Sequence, residues 1–206
     1  MSRMTVPGTA QGAERIGIVL HDFAAGGTER IVMRLAEHWA RAGREVTVLC
    51  GHDDGPSRAL VGPGVAVRPL DRPVPRGLGS RRRFAARLAG ELRAGSFDVL
   101  VGPGNYHLPV LAGLVANHVT IPIVAKLSNP LARTDLDHFR QALFGRAKRS
   151  QTERLGRLVA MSDALAAEAQ RALPGIALSV VPEPIVDGPL PAPRLNTRTG
   201  APRLLV

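Results

Sequence analysis

Residues 15–30 run Arg-Ile-Gly-Ile-Val-Leu-His-Asp-Phe-Ala-Ala-Gly-Gly-Thr-Glu-Arg. An apolar run reads as a buried strand, a short loop follows, and Gly26-Gly27 opens an amphipathic helix. Ile31, Val32, Leu35, Ala36 and Trp39 recur at helical spacing and should face a sheet. Thr28 is the expected N-cap, Glu29 sits in the first turn, and Gly43 ends the helix. Glu45 to Cys50 then reads as a second strand. Strand, helix and strand within about 35 residues form a right-handed βαβ unit. In such sheets ligands bind outside the carboxyl ends of the strands. Gly26 and Gly27 lie there, where bare amides and the positive end of a helix dipole suit a phosphate or another anion.

The rest of the chain repeats the alternation. Val65 to Leu70, Phe97 to Val101, Pro122 to Leu127, Arg157 to Met161 and Leu178 to Val181 read as further strands. Helices are expected after Ser80, a cap with Phe84, Leu88 and Leu92 on one face, then over 109–117, and after Ser162-Asp163. A long basic helical region is expected over 135–154. This order predicts an α/β fold, Rossmann-like and doubly wound, with a mostly parallel sheet covered on both faces. From Pro182 the composition changes to a proline-rich linker, and residues 203–206 look like the opening of another strand.

The 206 residues are 45% hydrophobic and 21% charged, which suits one α/β domain with a piece of a second. No uninterrupted apolar window is long enough to span a bilayer. Residues 1–13 are small and polar, read as a disordered tail rather than a signal peptide. The single Cys50 excludes an internal disulfide and fits a buried strand in a reducing, cytoplasmic setting. The formal charge is +10, carried almost wholly by arginine. The excess gathers in 76–93, including Arg81, Arg82 and Arg83, and in 140–157. Aromatic residues make up only 3% of the chain, so it lacks a stacking platform for nucleic acid. Anionic membrane surfaces or anionic small molecules are the better partners.

Four segments in this order resemble the N-terminal domain of a GT-B glycosyltransferase of the retaining family four. They are Gly26-Gly-Thr-Glu-Arg30, Arg41-Ala-Gly-Arg-Glu-Val-Thr-Val48, Leu158-Val-Ala-Met-Ser-Asp-Ala-Leu165 and Val180-Val-Pro-Glu-Pro-Ile185. The resemblance covers most of residues 15–187. It implies two Rossmann-like domains across a cleft, with the acceptor-side domain over 14–187. Residues 188–206 would then be the linker and first strand of a truncated second domain. It also implies that Gly26, Gly27 and Thr28 approach the diphosphate of a nucleotide sugar. No metal or cofactor is implied, the nucleotide sugar being the substrate. The acceptor would be a glycan or lipid-linked molecule, in polysaccharide or glycolipid biosynthesis. Peripheral contact with the inner face of a membrane is a further expectation. Ser128 stands where many members carry a histidine, and Glu183 where the hinge usually has asparagine. The acidic pair of the second domain would lie beyond Val206, so this chain alone should fold without turning over.

Polar residues at predicted strand ends are the candidates for the acceptor side of the cleft. They are His21 after the first strand, Asn105 and His107 after the fourth, and Lys126, Ser128 and Asn129 at the fifth. A lysine near the end of a buried parallel strand is costly unless paired or facing the cleft. Two functions fit: transfer of a sugar with retention, or a non-catalytic Rossmann-like module that binds an anion or nucleotide.

Overall fold

The computed structural model describes residues 12–131, 155 and 157–182. The strands are β1 (Arg15–Leu20), β2 (Glu45–Cys50), β3 (Val65–Pro69), β4 (Val99–Gly102), β5 (Ile123–Leu127), β6 (Arg157–Ala160) and β7 (Leu178–Val180). They form one sheet in the order β3-β2-β1-β4-β5-β6-β7. Every pairing is parallel. The helices are α1 (Gly27–Arg41), α2 (Ser80–Glu91), α3 (Leu108–Ala116) and α4 (Asp163–Ala172). The expected Rossmann-like α/β fold is therefore present. The basic region 135–154, the tail up to residue 11, the hinge from Glu183 and the strand expected over 203–206 lie outside the described residues.

Alternation along each strand divides the core. Ile16, Ile18 and Leu20 of β1 with Val46, Val48 and Cys50 of β2 pack beneath Val32, Met33 and Ala36 of α1. The opposite face is larger. Leu100, Ile123, Ala125, Leu127, Leu158 and Ala160 there meet Phe84 and Leu88 of α2, Leu111 and Leu114 of α3, and Ala166 and Ala169 of α4. Right-handed crossovers explain this division. The chain winds one way from β1 to β3, returns through α2 to β4 on the other side of β1, and then winds the opposite way. The reversal between β1 and β4 is the topological switch point, where such sheets bind ligands.

The register brings the candidate residues to that point. Ile18 pairs with Val101 and Gly102 with Ala125. The loops after β1, β4 and β5 therefore emerge side by side at one edge. One capping expectation changes and one holds. α2 begins one residue earlier than a Ser80 cap requires, because Gly79 holds the cap position in the left-handed conformation, φ 68°. The Ser80 hydroxyl instead accepts the Gly77 amide at 3.2 Å. Ser162 does cap α4, its hydroxyl accepting the Leu165 amide at 3.2 Å.

Candidate functional site

β1 ends at Leu20, and the chain turns through His21, Asp22 and Phe23 toward α1. Phe23 is fully buried, and its amide donates to the Asp54 carbonyl at 3.0 Å, so the loop is anchored. Gly26 is extended and occupies the cap position; its carbonyl accepts the Arg30 amide at 3.1 Å. The helix thus starts at Gly27, and Thr28 is inside its first turn. This corrects the expectation that Thr28 caps the helix: no side chain caps it. The first-turn amides of such a helix have no intrahelical partner. Gly26 and Gly27 are exposed, and a Cβ built on Gly27 would meet nothing within 4 Å. A Cβ on Gly26 would run into the Glu29 carboxylate, which folds back over the loop.

Arg76, in the loop before α2, ties this segment to its neighbours. Its Nε donates to Asp22 Oδ2 at 2.5 Å and Nη2 to Asp22 Oδ1 at 2.7 Å. Nη2 also donates to Glu29 Oε1 at 3.3 Å. The guanidinium lies over the Tyr106 ring, 4.4 Å from its centroid, and that of Arg81 lies 5.1 Å from the same centroid. Burial alone would push the Asp22 carboxyl up, but the hydrogen bonds and charge of Arg76 outweigh it and hold it below its ordinary value. One cation thus links the loops after β1, β3 and β4.

Beneath this layer sit His21 and His107, with 0% and 1% exposure. Neither ring opens on the cleft, as a cleft-lining role would require. Tyr106 meets both edge-on, at 5.7 and 5.3 Å, and Phe84 meets His21 edge-on at 5.3 Å. The His21 amide donates to His107 Nε2 at 3.2 Å. An accepting Nε2 means a neutral ring with its proton on Nδ1. Burial, helped by the charges of His21 and Arg76, lowers the His107 pKa to about 3. His21 is also lowered, by burial first, with Asp22 opposing. The carbonyls of Val74 and Pro75 approach the His21 ring, yet neither ring nitrogen reaches hydrogen-bond geometry.

Asn105 joins the loop after β4 to the end of β5. Its Oδ1 accepts the Ser128 amide at 2.8 Å, and its Nδ2 donates to the Asn129 carbonyl at 2.8 Å. Gly104 fits where a Cβ would come within 2.8 Å of Ser128 Oγ and 3.0 Å of Thr28 Cγ2. Thr28, Gly104, Asn105, Ser128 and Asn129 are therefore one contiguous group beside the Gly26-Gly27 amides. Asn105→Ala leaves the Ser128 amide and Asn129 carbonyl without these partners. Both groups keep some access to water, so it should cost about 0.5–1.5 kcal/mol, read as a lower denaturant midpoint at unchanged slope.

Lys126 stands apart from this group. It is half-buried on the other face of the sheet. There it lines a groove of about 480 Å³ with Trp39, Val101, Val124, Val159 and Met161. The reason is strand alternation: Ala125 and Leu127 face α3, so Lys126 faces away. Burial pushes the Cys50 thiol up to about 12, consistent with a core residue. Among the described residues no group of three or more His, Cys, Asp or Glu side chains is placed to hold a metal. No helix among them is long and apolar enough to cross a membrane.

Sequence reasoning missed Asp22, Arg76 and Tyr106 as parts of the site. Asp22 adjoins His21 and Arg76 heads the basic segment, so both lay in view. No spacing rule pairs residues so far apart along the chain.

No curated protein sequence matches this chain. Solved structures share its fold, two of them as follows. Anabaena Alr3699/HepE, solved in complex with UDP and glucose, superposes with a TM-score of 0.61 at 18% identity. That match covers 82% of this chain and 44% of HepE. Acinetobacter baumannii MurG superposes with a TM-score of 0.52 at 13% identity, covering 85% of this chain and 46% of MurG. The chain thus spans less than half the length of either. The family model for the glycosyl transferase 4-like domain matches residues 26–183, from the glycine pair at the mouth of α1 past β7. With the glycine-led helix, the switch point and the parallel sheet in place, the chain belongs to the glycosyl transferase 4-like domain family.

Proposed function

We propose that this chain is the acceptor-side half of a glycosyltransferase. It would move a hexosyl group from a nucleotide-diphosphate sugar to an acceptor, with retention at the anomeric carbon. The observation that carries this is the exposed Gly26-Gly27 entry to α1, with open space above Gly27, at the switch point of the sheet. On this reading the amides of Gly26, Gly27 and Thr28 receive the donor diphosphate. Asn105, Ser128 and Asn129 border the acceptor. His21 and His107 support Tyr106 and the loops from below, while Lys126, on the far face of the sheet, stands outside this group. Asp22 and Glu29 are both held by Arg76, so the chemistry assigned to this half is positioning and electrostatic stabilisation of the departing diphosphate. No metal or cofactor is needed. This chain alone would bind without transferring sugar, and its setting would be cytoplasmic, with peripheral membrane contact.

The engagement of both carboxylates also favours a second reading, a non-catalytic module that binds an anion or nucleotide. Titration of the chain with UDP tests what the two share. Amide resonances of Gly26, Gly27 and Thr28 should shift first, with those of Ser128 and Asn129 beside them. If these amides stay still while UDP binds elsewhere, the anion assignment is wrong. Sugar transfer by a catalytically competent form then separates enzyme from binding module.

A further inference from the structure

We propose that Arg76 binds the diphosphate of the nucleotide and that Glu29 competes with the diphosphate for it. The proposal rests on the nucleotide reading of the Gly26-Gly27 mouth and names the side chains that set its affinity.

Glu29 is the third residue of α1. Helical side chains lean toward the N-terminus, so its carboxylate comes back to the mouth of the helix. There it stands against Gly26, where a Cβ would run into it. It is buried, at 7% exposure, although the glycines beside it are exposed. A capping box would explain a glutamate at this position, but no hydrogen bond joins it to the Gly26 amide among the described residues. Its carboxylate accepts only from Arg76 Nη2, at 3.3 Å. A well-formed bond between such charged groups measures about 2.7–2.9 Å.

Arg76 is held more firmly elsewhere. Asp22 accepts from its Nε at 2.5 Å and from Nη2 at 2.7 Å. These bonds and the Tyr106 ring, 4.4 Å from the guanidinium, fix the plane of the fork. One cation therefore faces two carboxylates, and Glu29 has the weaker hold. The N–H donors of Nη1 meet no acceptor among the described residues. Asp22 thus keeps Arg76 in place while Nη1, and Nη2 once Glu29 withdraws, serve an incoming anion. The Glu29 carboxylate stands against both Gly26 and Arg76, so an anion that takes its place reaches the helix amides and the guanidinium together. A diphosphate brings more oxygens and more charge than one carboxylate, which favours the exchange. Return of Glu29 to Arg76 then shortens the stay of a nucleoside diphosphate product.

Titration of the full chain with UDP tests this, read by calorimetry and by the amide resonances of Gly26 and Gly27. Glu29→Gln removes the competing charge and should tighten UDP about fivefold. Glu29→Asp draws the carboxylate back from Arg76 and should tighten it by a smaller factor. It keeps an acidic first turn, so it serves where Glu29→Gln fails to fold. Arg76→Gln should weaken UDP about 30-fold. In that background the gain from Glu29→Gln should shrink, because no guanidinium remains to be passed over. Uridine, which has no phosphate, should bind all variants alike. A Glu29 that only braces the loop gives the opposite sign, since losing its bond loosens the loop and weakens UDP. Weaker or unchanged UDP binding in both Glu29 variants, with the two glycine amides still shifting, would overturn the exchange and leave the nucleotide reading intact. An equal gain with and without Arg76 would do the same, because long-range repulsion alone would then account for it. A parallel change in uridine affinity would also overturn it. UDP that binds without moving those amides, or no UDP binding by the wild-type chain, would reject the nucleotide reading and the exchange with it.

Discussion

Gly27→Val is expected to lower kcat by about 10²–10³-fold in a catalytically competent form of the protein, while leaving its stability nearly unchanged. The size follows from losing one preorganised donor to a developing anion. A valine at this position would stand where the diphosphate must come close to the first amides of α1. The fold does not oppose the substitution, because a Cβ there meets nothing within 4 Å. Helix propensity changes by only about 0.5 kcal/mol between the two residues. Gly26→Ala is the contrasting case. Its Cβ meets the flexible end of Glu29, which shifts away from its 3.3 Å contact with Arg76, and alanine is a poor cap residue, so stability should fall modestly along with activity. Thermal melts beside steady-state rates separate the two. An unchanged kcat in Gly27→Val would remove the phosphate role from this loop.

Stability should fall steeply on acidification below the ordinary histidine range. His107 has its pKa lowered from 6.5 to about 3 in the folded protein. Between those values the unfolded chain holds a proton that the native protein does not. The contribution is therefore fully present above 6.5 and is lost as pH falls toward 3. One such group gives a slope of about 1.4 kcal/mol per pH unit. His21 is shifted in the same direction and adds to it. Across two pH units this is a large share of a typical domain stability of about 5–15 kcal/mol. Asp22 and Asp98 are held below the ordinary carboxylate value, so their contributions are lost only as pH falls from that value downward. His107→Gln keeps an acceptor for the His21 amide and removes the titration. Urea unfolding over a pH series should show a clearly smaller slope for the variant. A wild-type stability that stays flat through this window would mean that the buried rings are not held neutral.

Much of the fold is legible in the chain, because strand and helix periods are local signals. Seven apolar runs marked seven strands, and their alternation with helices implied parallel pairing. Gly43 ends α1 in a left-handed conformation, and Ser162 caps α4, as their types suggest. The cap of α1 was misread because a hydroxyl is the usual signal, whereas Gly26 takes the position with backbone alone. The glycine pair, Asn105, Ser128 and Asn129 could be placed near one edge of the sheet because each lies in the segment that follows an apolar run.

The sequence by itself thus determined the layer architecture, the element order and the edge of the sheet where polar residues collect. Only the tertiary structure decided which of those residues meet. Register joined Asn105 to Ser128 and Asn129, and strand alternation turned Lys126 to the opposite face. Packing closed over His21 and His107 and gave Arg76 to Asp22, Glu29 and Tyr106. The physical reason is range. Periodicity and capping act within a few residues along the chain. Burial, pKa and ion pairing depend on neighbours that the sheet order brings in from far along it.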